Sequence, residues 1–170
     1  MKILFDIEST GLLRRGSQIH CIVCRPIDDD SKVIVFDTVQ NNVDEGIKFL
    51  EEADELIGHN IGSYDIPLIK ELYPNFKAPA MCDTLVMSRM FHSTLKDRDF
   101  QIKPIGLPIK LYGSHGLKAW GIRLKEHKGD FAESNDWSTY SPEMLAYCKQ
   151  DVNLNVKLYH ALMKKKANAN

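Results

Sequence analysis

Phe5-Asp6-Ile7-Glu8-Ser9-Thr10-Gly11 closes an apolar run that begins at Lys2. Lys2–Ile7 has the character of a buried strand, yet two carboxylates interrupt its end. In a strand, residues i and i+2 share a face, so Asp6 and Glu8 are aimed the same way. Like charges about 4 Å apart repel by roughly 4 kcal/mol at an effective dielectric near 20. A core strand that accepts them calls for a cation, and hard carboxylate oxygens suit Mg2+ or Mn2+. Taken alone, the pair also fits a strand end where one acid turns to solvent.

Outward from this strand, Gln18–Pro26 and Lys32–Phe36 are β-rich and flank Asp28-Asp29-Asp30, which reads as a hairpin turn. Val43, Ile47 and Leu50 stand at helical spacing after Asn41-Asn42, a candidate cap. Glu55–His59 is a short strand. Ser63 is placed to cap a helix reaching Tyr73, with Pro67 tolerable in its first turn. Ala80–Cys82 is a last strand, and Asp83 caps a helix to about Phe91. Residues 93–116 read as an irregular loop, and a short helix begins near Leu117. Ser141-Pro142-Glu143 opens a C-terminal helix with an N-cap, a first-turn proline and an acid at the dipole's positive end. This order of elements is α/β with a mixed sheet. It describes one domain over residues 1–163, with 164–170 as a frayed tail.

The chain has 170 residues, 44% apolar and 26% charged, with a net charge of −1. That balance is globular rather than disordered. It excludes nucleic-acid binding by bulk charge but not by a local patch. Asp28 to Glu55 carries a net −8, and Lys96 to Lys128 a net +5. These are either two solvated faces or a basic track for a phosphate backbone with an acidic helix turned away. No apolar run approaches the roughly 20 residues that span a bilayer. A carboxylate at position 6 comes too early for a signal peptide, so the chain reads as soluble, cytosolic and without a membrane partner. Cys21 and Cys24 form a CxxC, but a spacing of three in a strand sends the thiols to opposite faces. Buried, reduced cysteines are expected there rather than zinc or a disulfide.

Two further acids complete a pattern. Asp65, in Asn60-Ile61-Gly62-Ser63-Tyr64-Asp65, falls in a helix's first turn, where an acid also simply complements the dipole. Tyr147 and Asp151 are i and i+4 on the last helix. A phenol one turn from a carboxylate can orient a water, and an amphipathic helix with a border tyrosine gives the same pattern. Together, Asp-x-Glu on a first strand, Asp after an Asn-containing turn, and Tyr-x-x-x-Asp on a late helix resemble the DEDD 3′–5′ exonucleases. Ala146 stands where the histidine branch of that superfamily would place its histidine, so the chain resembles the tyrosine branch. Asp83–Arg89, Phe91–Asp97, Gly113–Gly121 and Tyr147–Val152 extend the resemblance. They are similar to the proofreading domain of family A replicative DNA polymerases of short-tailed bacteriophages, from about residue 1 to 163. In those polymerases a large polymerase domain follows; this sequence stops.

The resemblance implies a ribonuclease H-like (DnaQ-like) fold with a mixed five-stranded sheet flanked by helices. It implies hydrolysis of the 3′-terminal phosphodiester of single-stranded DNA, releasing nucleoside 5′-monophosphates, either by a stand-alone enzyme or beside a separate polymerase chain as partner. Asp6, Glu8, Asp65 and Asp151 would hold two divalent cations, Mg2+ or Mn2+, and Tyr147 would orient the attacking water. Ser9, Leu12, His59 and Asn60, beside the first two motifs, are candidate substrate contacts. Lys96, Arg98, Lys103 and Lys110 are candidate phosphate contacts. His115 is not expected to be a ligand, and Trp120 and Trp137 read as core. A docking module on the same fold and an exoribonuclease are the competing readings.

Overall fold

The computed structural model describes residues 1–11, 17–29, 31–126 and 136–168. Leu12, Asp30 and the last two residues of the expected tail lie outside the described residues. Strands β1 (Lys2–Ser9), β2 (Ile19–Pro26) and β3 (Ile34–Asp37) precede helix α1 (Val43–Glu51), β4 (Glu55–Gly58) and α2 (Asp65–Leu72). Then come β5 (Ala80–Asp83), α3 (Thr84–Phe91), α4 (Leu95–Ile102), a 3-10 turn (Ile109–Leu111), α5 (Leu117–Arg123) and a long helix, here α6 (Pro142–Ala167). The sheet order is β3-β2-β1-β4-β5. β1 pairs antiparallel with β2 and parallel with β4, so the sheet is mixed. Among the described residues, no helix is long and apolar enough to cross a membrane.

Strand alternation divides β1 between two cores. Ile3, Phe5 and Ile7 face one way and pack with Ile47 and Leu50 of α1 and Ile66 and Ile69 of α2. Leu4 faces the other way, with Cys21 and Val23 of β2 and Cys148, Val152 and Val156 of α6. Asp6 and Glu8 continue the Leu4 face, so the period of two delivers both carboxylates under α6. The same alternation separates the CxxC: Cys21 joins the α6 side and Cys24 the other, and both are free thiols.

Several local expectations are corrected. Residues 93–116 are not wholly irregular, because α4 occupies Leu95–Ile102. Its buried positions are only Leu95 and Asp99, so it has no apolar stripe for a sequence to display. Tertiary contacts hold it: Leu95 packs with Trp120, Leu158 and Leu162, and Asp99 pairs with Arg123 of α5 at 2.6 Å. Ser63 does not cap α2; the helix starts at Asp65 after Tyr64, with no side-chain cap. Asn42 precedes α1 but does not cap it, since its Oδ1 accepts the Asp37 N–H at 2.8 Å. α6 runs through Lys164-Lys165-Lys166 to Ala167, lysines at the negative end of its dipole. Its cap is the expected one, with Ser141 Oγ accepting the Met144 N–H at 3.1 Å.

Candidate nuclease site

Asp6 and Glu8 lie near the C-terminal end of β1, opposite Val23 and Cys21 of β2. α6 crosses above them. One potential ligand atom each from Asp6, Glu8 and Cys148 falls within 4.8 Å of the others. The Cys148 thiol donates to Asp6 Oδ2 at 3.7 Å and to the Asp6 carbonyl at 3.6 Å. Burial, with Cys21 and Asp6 beside it, pushes this thiol well above its ordinary pKa. A protonated sulfur is a poor partner for a hard cation, so Cys148 acts here as a hydrogen-bond donor to Asp6. The sequence reading passed over it because a lone cysteine in an apolar helix stripe carries no signal.

Three of the four acids are buried and Asp6 is half-buried. Glu8 is 8% exposed, Asp65 4% and Asp151 5%. Burial pushes Glu8 up to about 10, and the charges of Asp6, Asp151 and Asp65 add to that. Burial likewise pushes Asp65 up to about 7. All four acids therefore share one electrostatic neighbourhood. Without a cation, Glu8 keeps its proton at neutral pH. A set of clustered carboxylate oxygens that cannot all ionise unaided is what a divalent cation fits, since its charge offsets theirs.

Tyr147 is buried one turn before Asp151 on α6. Its ring meets Trp137 edge to face, 6.1 Å between centroids at 80°. The Trp137 carbonyl accepts from His20 Nε2 at 3.1 Å, which ties that segment to β2. Trp137 is thus half-buried beside the tyrosine rather than core. Trp120 is core, as expected, and its Nε1 donates to Ser88 Oγ at 2.8 Å.

The second motif is held by Asp83 and Thr84. Asn60 has a left-handed backbone, φ 65°, and its N–H donates to Asp83 Oδ1 at 2.9 Å. Asp83 also accepts from Gly62 N at 3.3 Å and caps α3 through Leu85 N at 2.9 Å. His59 Nδ1 meets Thr84 Oγ1 at 2.9 Å, and that hydroxyl lies 2.7 Å from Asn155 Oδ1, one turn beyond Asp151. A buried polar chain therefore links the end of β4 to α6. Neither Thr84 nor Asn155 stood out in the sequence: Thr84 was one residue of the Asp83–Arg89 segment with no role of its own, and Asn155 matches no motif. Ser9 Oγ lies 2.6 Å from the Tyr64 hydroxyl, which also bonds the Gly11 carbonyl. Of the basic candidates, Lys96 and Arg98 stand on α4, Lys103 ends it with φ 51°, and Lys110 lies in the 3-10 turn. Arg98 lines a cavity with His92, Lys164 and Lys165.

The five-stranded mixed sheet, with α6 over the carboxylate strand, is the ribonuclease H-like fold of the DEDD exonucleases. A nuclease in its apo form matches with a TM-score of 0.71 at 21% identity, over 99% of this chain and 74% of that one. Brucella melitensis NrnC bound to pGG matches at 0.69 and 18% identity, over 99% and 74%, and NrnC with bound Mg2+ at 0.67. Escherichia coli RNase D, an exoribonuclease involved in structured RNA processing, matches at 0.63 and 13% identity, over 98% and 40%. In sequence, the chain resembles phage DNA polymerases. It is 31% identical to the DNA-directed DNA polymerase of Escherichia phage T7 and 30% to that of Enterobacteria phage T3, over 96% of its length. It spans 27% of the length of each polymerase. No family model matches.

Proposed function

We propose that this chain is a metal-dependent 3′–5′ exonuclease. It hydrolyses the terminal phosphodiester of single-stranded DNA and releases nucleoside 5′-monophosphates, as the proofreading part of a phage DNA polymerase or as a stand-alone enzyme in the host cytoplasm. The observation that carries this reading is the buried acidic cluster around Glu8, where Asp6, Asp151 and Asp65 add their charges to the burial that holds its carboxyl up at about 10. Similarity to DNA polymerases favours DNA over RNA as the substrate.

In this reading the four carboxylates hold two divalent cations, Mg2+ or Mn2+. Bound there, such cations supply charge neutralisation at the phosphate and a lowered pKa for a nearby water. The chain's own residues do the rest. Tyr147, its ring fixed against Trp137, orients the attacking water by its hydroxyl. Cys148 holds the Asp6 carboxylate through its thiol proton. Water attacks the phosphorus, the bond to the 3′ oxygen breaks, and that oxygen leaves with the electron pair and takes a proton. Ser9, His59 and Asn60 border the path of the strand.

The test is digestion of a 5′-labelled single-stranded DNA and the matching RNA with Mn2+ or Mg2+, beside Asp6→Ala and EDTA controls. A DNA ladder shrinking from the 3′ end, absent in both controls, is expected. A ladder on RNA alone transfers the reading to an exoribonuclease. No ladder on either, from folded protein, replaces it with a docking module.

A further inference from the structure

A cleft of about 470 Å3 opens beside the second motif, between the turn that follows β4 and the segment that enters α5. Both walls are fixed. On one side is Asn60, whose turn is clamped by Asp83 and runs on to Asp65 five residues later. On the other is Gly113–Gly116. Gly113 N donates to Asp99 Oδ2 at 2.8 Å, and the Ser114 carbonyl accepts from Arg123 Nη1 at 2.7 Å. The Asp99–Arg123 pair behind them is almost fully buried, at 2% and 7% exposure, so this wall rests on the core rather than in solvent.

Among the side chains that line the cleft, Arg89, His115 and Asn60 can donate. Arg89 is exposed, one turn from Leu85 on α3, and both line it. His115 lines it too, with its Nδ1 turned inward to Ser88 Oγ at 2.7 Å. Ser88 already accepts the Trp120 indole proton, which leaves its own hydroxyl proton for His115 Nδ1. With Nδ1 engaged by Ser88, Nε2 is the ring nitrogen left for a ligand, and it donates when the Ser88 hydroxyl proton lies on the Nδ1 bond. Burial, with Arg123 and Arg89 nearby, holds its pKa below the ordinary imidazole value. No aspartate or glutamate is among the residues lining the cleft. A guanidinium, an imidazole N–H and an asparagine amide around an apolar leucine make a site for a phosphodiester with its sugar laid against Leu85.

We infer that this cleft holds an internal phosphate of the substrate strand, on the 5′ side of the bond to be cleaved, with Arg89 as its main ligand and His115 as its second donor. The inference rests on the exonuclease reading and deepens it: the preferred substrate is an oligonucleotide longer than a dinucleotide. Lys96, Arg98, Lys103 and Lys110 do not line this cleft.

The experiment measures binding of 5′-fluorescent deoxyoligonucleotides of two, three, four and six residues in Ca2+, by anisotropy, for wild type, Arg89→Ala, Arg89→Lys and His115→Gln. Nucleoside 5′-monophosphate is titrated in parallel as competitor. Wild type is expected to gain affinity between the dinucleotide and the longer oligomers. Arg89→Ala should erase about tenfold of that gain, which is one charge-assisted contact. It should also reduce the slope of log affinity against log salt by about one. Arg89→Lys should restore part of both. If wild type binds the oligomers and Arg89→Ala binds every length equally well, the inference fails and the exonuclease reading stands. The same holds if Arg89→Ala weakens monophosphate as much as hexamer, since the cleft is then a free-nucleotide site. Wild type that neither binds nor cleaves any oligomer overturns the parent reading and this one with it.

Discussion

Glu8 passes on folding from an ordinary carboxyl with a pKa of 4.5 to one held near 10 by burial and its acidic neighbours. Between those values the unfolded chain is ionised while the folded chain keeps the proton. The unfolded state then binds fewer protons, so stability falls as pH rises. Asp65, raised from 3.8 to about 7, acts the same way, and its share of the loss is complete by about pH 7. The melting temperature of EDTA-treated protein should therefore fall from pH 5 to pH 8, and saturating Mn2+ should flatten that slope. A metal-free melting temperature that is level or rises over this window would contradict the assignment. At pH 7 cation binding should also release protons, visible in calorimetry as a binding enthalpy that changes with the buffer's ionisation enthalpy. Tyr147 plays a different part in the proposed mechanism. Its hydroxyl orients a water, so Tyr147→Phe should retain measurable cleavage, with kcat down by about a hundredfold. Asp6→Ala should be inactive in the same assay, and equal inactivity of both variants would refute the division of roles.

At the scale of elements, the carboxylate strand and the last helix were legible and the supports between them were not. β1 declares itself because apolar alternation and an Asp-x-Glu share one period of two. α6 declares itself because Ser141, Pro142 and Glu143 each suit a helix start for a separate physical reason. α4 was illegible because its buried side is a leucine and a charged aspartate, a pattern that reads as loop. The Thr84–Asn155 link was illegible because its partners are 71 residues apart and polar. Asp83 was half legible. Its spacing announced a cap on α3, but its clamp on the Asn60 turn depends on β4 and β5 lying side by side, Gly58 opposite Asp83. Asp83→Ala removes both functions. The lost cap costs about 1 kcal/mol, and the part-buried Asn60 amide left without its acceptor adds about 1–2 kcal/mol. Urea denaturation should show a loss of about 2–3 kcal/mol. A loss under 1 kcal/mol would mean the turn holds itself. Because that turn leads to Asp65, the variant should also need more Mn2+ for half-maximal cleavage.

Across the whole molecule, the sheet separates the two charged regions. α1, the centre of the acidic segment, packs on the face of β1 that carries Ile3, Phe5 and Ile7. The carboxylate site lies on the opposite face, between β1 and α6. α1 is thus turned away from the carboxylate site, since a strand's two faces cannot exchange partners without a register slip. The site also joins distant parts of the chain, because Asp6 and Asp151 come from its two ends. Cations held there bind the folded chain and not the unfolded one. At a hundredfold excess over its dissociation constant, one such ion adds about 2.7 kcal/mol. For a domain of this size, each kcal/mol moves the melting temperature by about 2–4 °C. Saturating Mn2+ should thus raise it by about 5–10 °C per ion at pH 7.5, and the rise should vanish in Asp6→Ala. A melting temperature indifferent to Mn2+ in wild type would show that the four acids do not form a cation site, whatever activity the chain displays.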